Sequence, residues 1–172
     1  MYSQSMPIGL LVARYTDPDR DPARAIIPCA VVTDMPPLPV GTLLRRETDR
    51  DIVYAGDSTL VLYPGESAHY EDNLLLDPPR VWVSLRPDPD HIGSIAAISV
   101  DPYEGEAMAD VESDIVEALP MPQAVRLWLA EFLAEFPPKR DFYKRKRDEG
   151  MGSRKKSHEQ DSQDHDSDED QA

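Results

Sequence analysis

Seventeen prolines cut this 172-residue chain into short pieces. Each removes a backbone donor and fixes φ, so long uninterrupted helices and wide, flat sheets are excluded across most of the sequence. The pieces between the prolines then declare themselves by pattern. Ile8 to Tyr15 is mostly apolar and β-branched or aromatic at its key positions, as expected of a strand covered on both faces. A Pro- and Asp-rich break from Thr16 to Pro22 leads to a second such strand near Ile26 to Thr33. After the rigid Met35-Pro36-Pro37-Leu38-Pro39 connection, Gly41 to Thr48 and Ile52 to Tyr54 alternate loosely around a charged turn at Asp49-Arg50-Asp51. Ala55-Gly56-Asp57 reads as a turn, because Gly tolerates positive φ, and Thr59 to Tyr63 follows as a further strand. One or two helical turns are predicted in Glu66 to Leu76. Val81 to Leu85 and Ser94 to Val100 close the set of strands.

The end of the folded part is helical. Asp101-Pro102-Tyr103-Glu104 offers an N-cap carboxylate, a proline at the first helical position and a Glu three residues after the cap. Met108, Val111 and Ile115 continue at helical spacing. Gly105, in the first turn, is predicted to weaken that helix by up to about 1 kcal/mol relative to alanine. The clearest helix carries Val125, Trp128, Leu129, Phe132, Leu133 and Phe136 on one stripe, opened near Pro122 and stopped by Pro137-Pro138. The fold class predicted is α+β: a curved, mostly antiparallel sheet or partial barrel packed by C-terminal helices.

Charge divides the chain into three zones. Residues 1–138 hold nine Lys/Arg against twenty-three Asp/Glu, and read as one folded domain. Residues 139–156 hold nine Lys/Arg against three acids, built around Phe142-Tyr143-Lys144-Arg145-Lys146-Arg147. Residues 157–172 hold seven acids and no Lys or Arg, and are predicted to be a disordered acidic tail. The overall charge of −15 disfavours a broad nucleic-acid or anionic-membrane surface. No apolar run approaches the roughly 20 residues of a membrane span, and residues 1–6 have no signal-peptide character. A cytoplasmic protein is the expectation.

Chemistry is harder to find. Cys29 lies between apolar triplets and is expected to be a buried strand thiol. His69, His91, His158 and His165 show no ligand spacing; the last two sit among tail acids and offer at most weak divalent-ion binding. Glu104, Glu106, Asp110, Glu112, Asp114 and Glu117 read as the wet face of a helix. Asp17, Asp19 and Asp21 lack the glycine and distal Glu of a calcium loop, and no phosphate-cradling glycine loop, nucleophile elbow or HExxH helix occurs. Trp128, Phe132 and Phe136 read as core. No catalytic residue, metal ligand or cofactor is assigned. Arg14, Arg46 and Arg86 remain as candidate anion or cofactor contacts from neighbouring strands, against the plainer reading of salt-bridged surface groups. The basic block has three readings: a docking arm with Phe142 and Tyr143 as anchors, a solvated linker, or a nucleic-acid contact, the last opposed by the acidic flanks.

Several segments together resemble a known family. They are Pro7-Ile8-Gly9-Leu10-Leu11-Val12 with Arg14, Tyr54-Ala55-Gly56, Glu66-x-x-x-Tyr70-x-x-Asn73-Leu74, Val81 to Pro87, Asp101-Pro102-Tyr103-Glu104, Pro120-Met121-Pro122 with Trp128 and Phe132, and Phe142 to Arg147. Over residues 6–148 this order and spacing is similar to an uncharacterised bacterial domain-of-unknown-function family encoded beside molybdenum- or tungsten-dependent formate dehydrogenases. The resemblance implies a non-enzymatic accessory protein for assembly or maturation of such an enzyme. It would bind the formate dehydrogenase or one of its maturation factors through Phe142, Tyr143, Lys144, Arg145, Lys146 and Arg147. The alternative it leaves is a protein that binds, or an enzyme that helps make, the molybdopterin or nucleotide cofactor.

Overall fold

Strand β1 (Gln4–Tyr15), buried from Ile8 to Leu10 and at Val12 and Ala13, is interior to a sheet, with β2 (Ile26–Val32) paired to one edge and β4 (Arg50–Leu62) to the other. In this computed structural model, which describes residues 1–139, β3 (Leu43–Arg46) completes a four-stranded antiparallel sheet in the order β2-β1-β4-β3. A second antiparallel sheet has the order β6-β5-β7, formed by β5 (Arg80–Arg86), β6 (Ser94–Ser99) and β7 (Ile115–Pro120). The two sheets are not joined by a ladder, but β2 runs beside β7 and β4 beside β6. They wrap one core as a partial barrel that does not close. The helices are α1 (Ser67–Leu74), α2 (Pro102–Ala109) and α3 (Gln123–Glu135). The α+β class is therefore as the sequence predicts.

The core is drawn from the inward positions of these elements: Ile8, Leu10 and Val12 of β1, Val53, Leu60 and Leu62 of β4, Val81, Val83 and Leu85 of β5, and Val125, Leu129 and Phe132 of α3. Each of the last three contributes about 1.5–3 kcal/mol by leaving water. Trp128, Leu133 and Phe136 pack at its margin, so the aromatic stripe of α3 is core, as its spacing predicts. Gly9 lies where β1 is most crowded. A Cβ there would stand 3.1 Å from Val32 Cγ2 and 3.2 Å from Tyr54 Cε2.

Four sequence expectations need correcting. Ala55-Gly56-Asp57 is not a turn: β4 runs through it as a bulge, with Leu10 opposite Gly56 and Leu11 opposite Tyr54. Gly56 has φ +124, and a glycine at positive φ serves a bulge as readily as a reversal. The predicted break between two short strands is thus one thirteen-residue strand, and its turn from β3 falls at residues 47–49 rather than at Asp49-Arg50-Asp51. Second, α2 stops at Ala109, and Ile115 belongs to β7, a strand that the helical reading hides. Edge position lets β7 end in Pro120 without losing a ladder bond. Third, the acids from Glu104 to Glu117 are no single wet face. Asp114 turns inward, with its side chain only 3 % exposed, and Glu117 lies in β7. Fourth, Cys29 sits in β2 but is half-buried, its thiol pushed up in pKa by that burial.

Among the described residues no helix is long and apolar enough to cross a membrane. The docking segment 142–147 and the acidic tail lie outside the described residues.

Candidate functional site

The start of α2 is built as its sequence dictates. Asp101 is the N-cap, its Oδ1 accepting from the Tyr103 N–H at 2.8 Å, and Pro102 takes the first helical position where a missing N–H costs nothing. The capping box, however, is relayed. The Asp101 N–H donates to Ser99 Oγ at 3.0 Å, and the Ser99 hydroxyl in turn donates to Glu104. Asp101 is buried, so its second carboxylate oxygen needs a partner from elsewhere.

That partner comes from α1. His69 Nδ1 lies 2.8 Å from Asp101 Oδ2 and 2.9 Å from Glu66 Oε2, and the His69 ring packs on Tyr103 at 4.4 Å between centroids. Asp101 raises the His69 pKa chiefly through this hydrogen bond, with Glu66 and Asp72 adding to it; burial works in the opposite direction. One residue further along, Tyr70 is buried beneath the cluster, its hydroxyl accepting from the Tyr63 N–H at 3.2 Å and its ring meeting Phe132 edge-on. Burial pushes the Tyr70 phenol up to about 12, so it stays neutral. Asn73, fully buried, ties the same helix to the start of β5 and to Val100. Two of the segments singled out in the sequence, Glu66 to Leu74 and Asp101 to Glu104, are therefore one structural unit. Histidine spacing alone could not reveal it, because His69 and Asp101 are 32 positions apart. The local signal was Glu66 and His69 three positions apart, at the N-cap and in the first turn of α1.

Beside this cluster the surface is aromatic. Tyr2, Tyr63 and Tyr103 are exposed, and a cleft of about 510 Å³ is lined by Met1, Tyr2, Tyr63, Pro64, Gly65 and Glu66. Tyr2 rests on Phe136 with ring centroids 4.9 Å apart, so the cleft is backed by the core stripe of α3. Glu66 belongs to both the cleft and the His69 cluster.

The arginine candidates divide. Arg14 on β1 and Arg46 on β3 are both in register with Asp51 on the intervening β4. They hold its carboxylate at 3.1 and 3.5 Å. Arg86 is in the other sheet, where its Nε and Nη2 donate to Asp114 at 3.1 and 3.3 Å. Arg14 and Arg46 come together, then, and Arg86 does not join them. Arg86 holds the Asp114 carboxyl below its usual value of 3.8, with help from the Ser84 hydroxyl. Because the folded-state pKa is depressed, this contribution is present above the unfolded value and is lost as pH falls through the folded one. Arg86→Gln is accordingly expected to lower the melting temperature at neutral pH, by an amount that shrinks as the solution is acidified below about pH 4. A difference in melting temperature that stays constant from neutral pH into acid would show that the pairing has no such linkage.

The family model described as "Protein of unknown function (DUF3305)" matches residues 7–146, close to the stretch that carries the sequence resemblance. No curated protein and no solved structure matches the chain.

Proposed function

The chain belongs to this DUF3305 family of proteins of unknown function, and from that premise we propose that it is a non-enzymatic accessory protein for assembly or maturation of a molybdenum-dependent formate dehydrogenase. Its partner is the dehydrogenase or one of its maturation factors, engaged in the cytoplasm. The observation that carries a protein-binding reading is the exposed aromatic cleft: Tyr2 and Tyr63 flank an apolar floor, with the acid Glu66 at its edge. Exposed tyrosines supply large contact area at low entropic cost and are favoured as anchors in protein interfaces. Phe142 and Tyr143, followed by Lys144 to Arg147, add a second anchor of the same kind, with the basic residues steering association toward an acidic partner.

A deletion strain tests this. Loss of the gene is expected to lower formate dehydrogenase activity and the molybdenum content of the enzyme. Wild-type protein restores both, and a folded Tyr2→Ser/Tyr63→Ser variant does not. Retention of full activity and molybdenum in the deletion strain sinks the proposal.

The second reading, binding of a pterin or nucleotide cofactor, has one observation in its favour. Arg14 and Arg46 share a single carboxylate, which leaves the trio with an excess positive charge on an exposed sheet face. Calorimetry with molybdopterin-guanine dinucleotide, GTP and CTP separates the two. Micromolar affinity that disappears on Arg46→Ala would favour the cofactor reading over the accessory one.

A further inference from the structure

Two carboxylate oxygens converge on one imidazole nitrogen. Asp101 Oδ2 and Glu66 Oε2 stand 2.8 and 2.9 Å from His69 Nδ1. A single N–H has one proton to donate, so two anionic acceptors exceed what it can satisfy. We propose that Glu66, His69 and Asp101 form a binding site for a divalent transition-metal ion of the zinc class, with His69 Nδ1 and one oxygen from each carboxylate as ligands.

The donor set selects the ion. Imidazole with two carboxylates and no thiolate suits zinc, nickel or cobalt, whereas calcium and magnesium prefer oxygen alone. Bonds of about 2.0–2.2 Å in tetrahedral geometry set the ligand atoms about 3.4 Å apart. The present spacing is therefore tighter by roughly half an ångström. The Glu66 side chain, 43 % exposed, and the His69 ring, 36 % exposed, have the freedom to give that distance, Glu66 by turning outward and His69 by sliding away from Asp101.

Asp101 and the plane of the His69 ring are held in advance. Asp101, 4 % exposed in its side chain, is oriented by the Tyr103 N–H on Oδ1, which leaves Oδ2 aimed at the site. The Tyr103 ring fixes the plane of His69 from its face. Such outer contacts orient ligands and raise affinity. Glu66 and Asp101 are the N-cap residues of α1 and α2, so the two carboxylates are brought together where the two helices begin. Asp72 and Glu104 add negative charge around the cluster. His69 and Glu66 are partly exposed, so a fourth position is open to water or to a side chain of a bound protein.

The test uses the full chain without an affinity tag. Zinc(II) titration by calorimetry is expected to give one equivalent bound, with NMR of the histidine nitrogens showing the change at Nδ1 of His69. Asp101→Asn keeps an N-cap of equal quality while removing the charge. That variant and His69→Gln are each expected to weaken binding by about tenfold or more, and His158→Gln/His165→Gln to leave it intact. Absence of zinc binding in the wild type overturns the site. Binding that survives both His69→Gln and Asp101→Asn, or that is lost with His158 and His165, overturns it equally. Should the Asp101 variant fail to fold, the wild-type nitrogen assignment decides by itself: a shift confined to other histidines rejects the proposal.

Discussion

Asn73→Ala is expected to cost about 3 kcal/mol or more of folding stability. The side chain is fully buried in α1 and every part of its amide is used. Nδ2 donates to the carbonyls of Arg80 and Val100 at 2.8 and 2.6 Å, and Oδ1 accepts from the Arg80 N–H at 2.8 Å. Among the described residues no buried side-chain nitrogen or oxygen lacks a partner, and this one amide satisfies three backbone groups where regular ladder bonding has run out. Truncation strands those groups out of reach of water, at about 1–3 kcal/mol for each that stays unsatisfied. Asn73→Asp is expected to be no better. It keeps the acceptor for Arg80 but turns a carboxylate toward two carbonyl oxygens, with nothing to compensate the buried charge. Urea denaturation of both variants measures the effect, with Leu76→Ala, at an exposed position, as the near-neutral comparison. A loss below about 1 kcal/mol for Asn73→Ala would mean that water enters and replaces the amide.

What the sequence revealed and what it hid follow from how far each signal reaches along the chain. The α3 stripe from Val125 to Phe136 is a local periodicity closed by Pro137, and the structure reproduces it. The Asp101 cap and Pro102 are likewise local, and both stand where their chemistry predicts. Gly56 was legible as a backbone irregularity but ambiguous in kind, because the same positive φ serves a turn or a bulge; only the pairing with β1 decides. Asp114 was hidden inside a run of acids. Its distinction is a pair of partners, Ser84 and Arg86, about thirty positions earlier. The Glu66–His69–Asp101 cluster was hidden for the same reason, since its closure depends on α1 and α2 packing together. Composition and spacing see neither. The arm from Phe142 to Arg147 is the converse case: its aromatic-then-basic pattern is plain in the sequence, yet it lies outside the described residues.

Gly105→Ala is expected to destabilise the protein by about 2 kcal/mol, against the direction that helix propensity alone gives. In an exposed helix the added methyl would gain up to about 1 kcal/mol. Here Gly105 is buried, and a Cβ would fall 2.3 Å from Trp82 Cγ, 2.4 Å from Cδ1 and 2.6 Å from Cδ2. These are atoms of the indole nearest its attachment point, so the ring cannot swing clear without moving β5, which is hydrogen-bonded on both sides by β6 and β7. The helix must lift instead. Lifting α2 carries the Asp101 cap with it and loosens the contact to His69 across the junction with α1. Overpacking of this kind costs about 1–3 kcal/mol and outweighs the propensity gain. A double-mutant cycle isolates the contact. Trp82→Leu alone loses packing, but Gly105→Ala added to it is expected to cost far less than in the wild type, because the obstructing ring is gone. Denaturation midpoints of the four proteins give the coupling directly. If Gly105→Ala stabilises the wild type, or if the two substitutions are additive, α2 does not pack on Trp82 through this glycine.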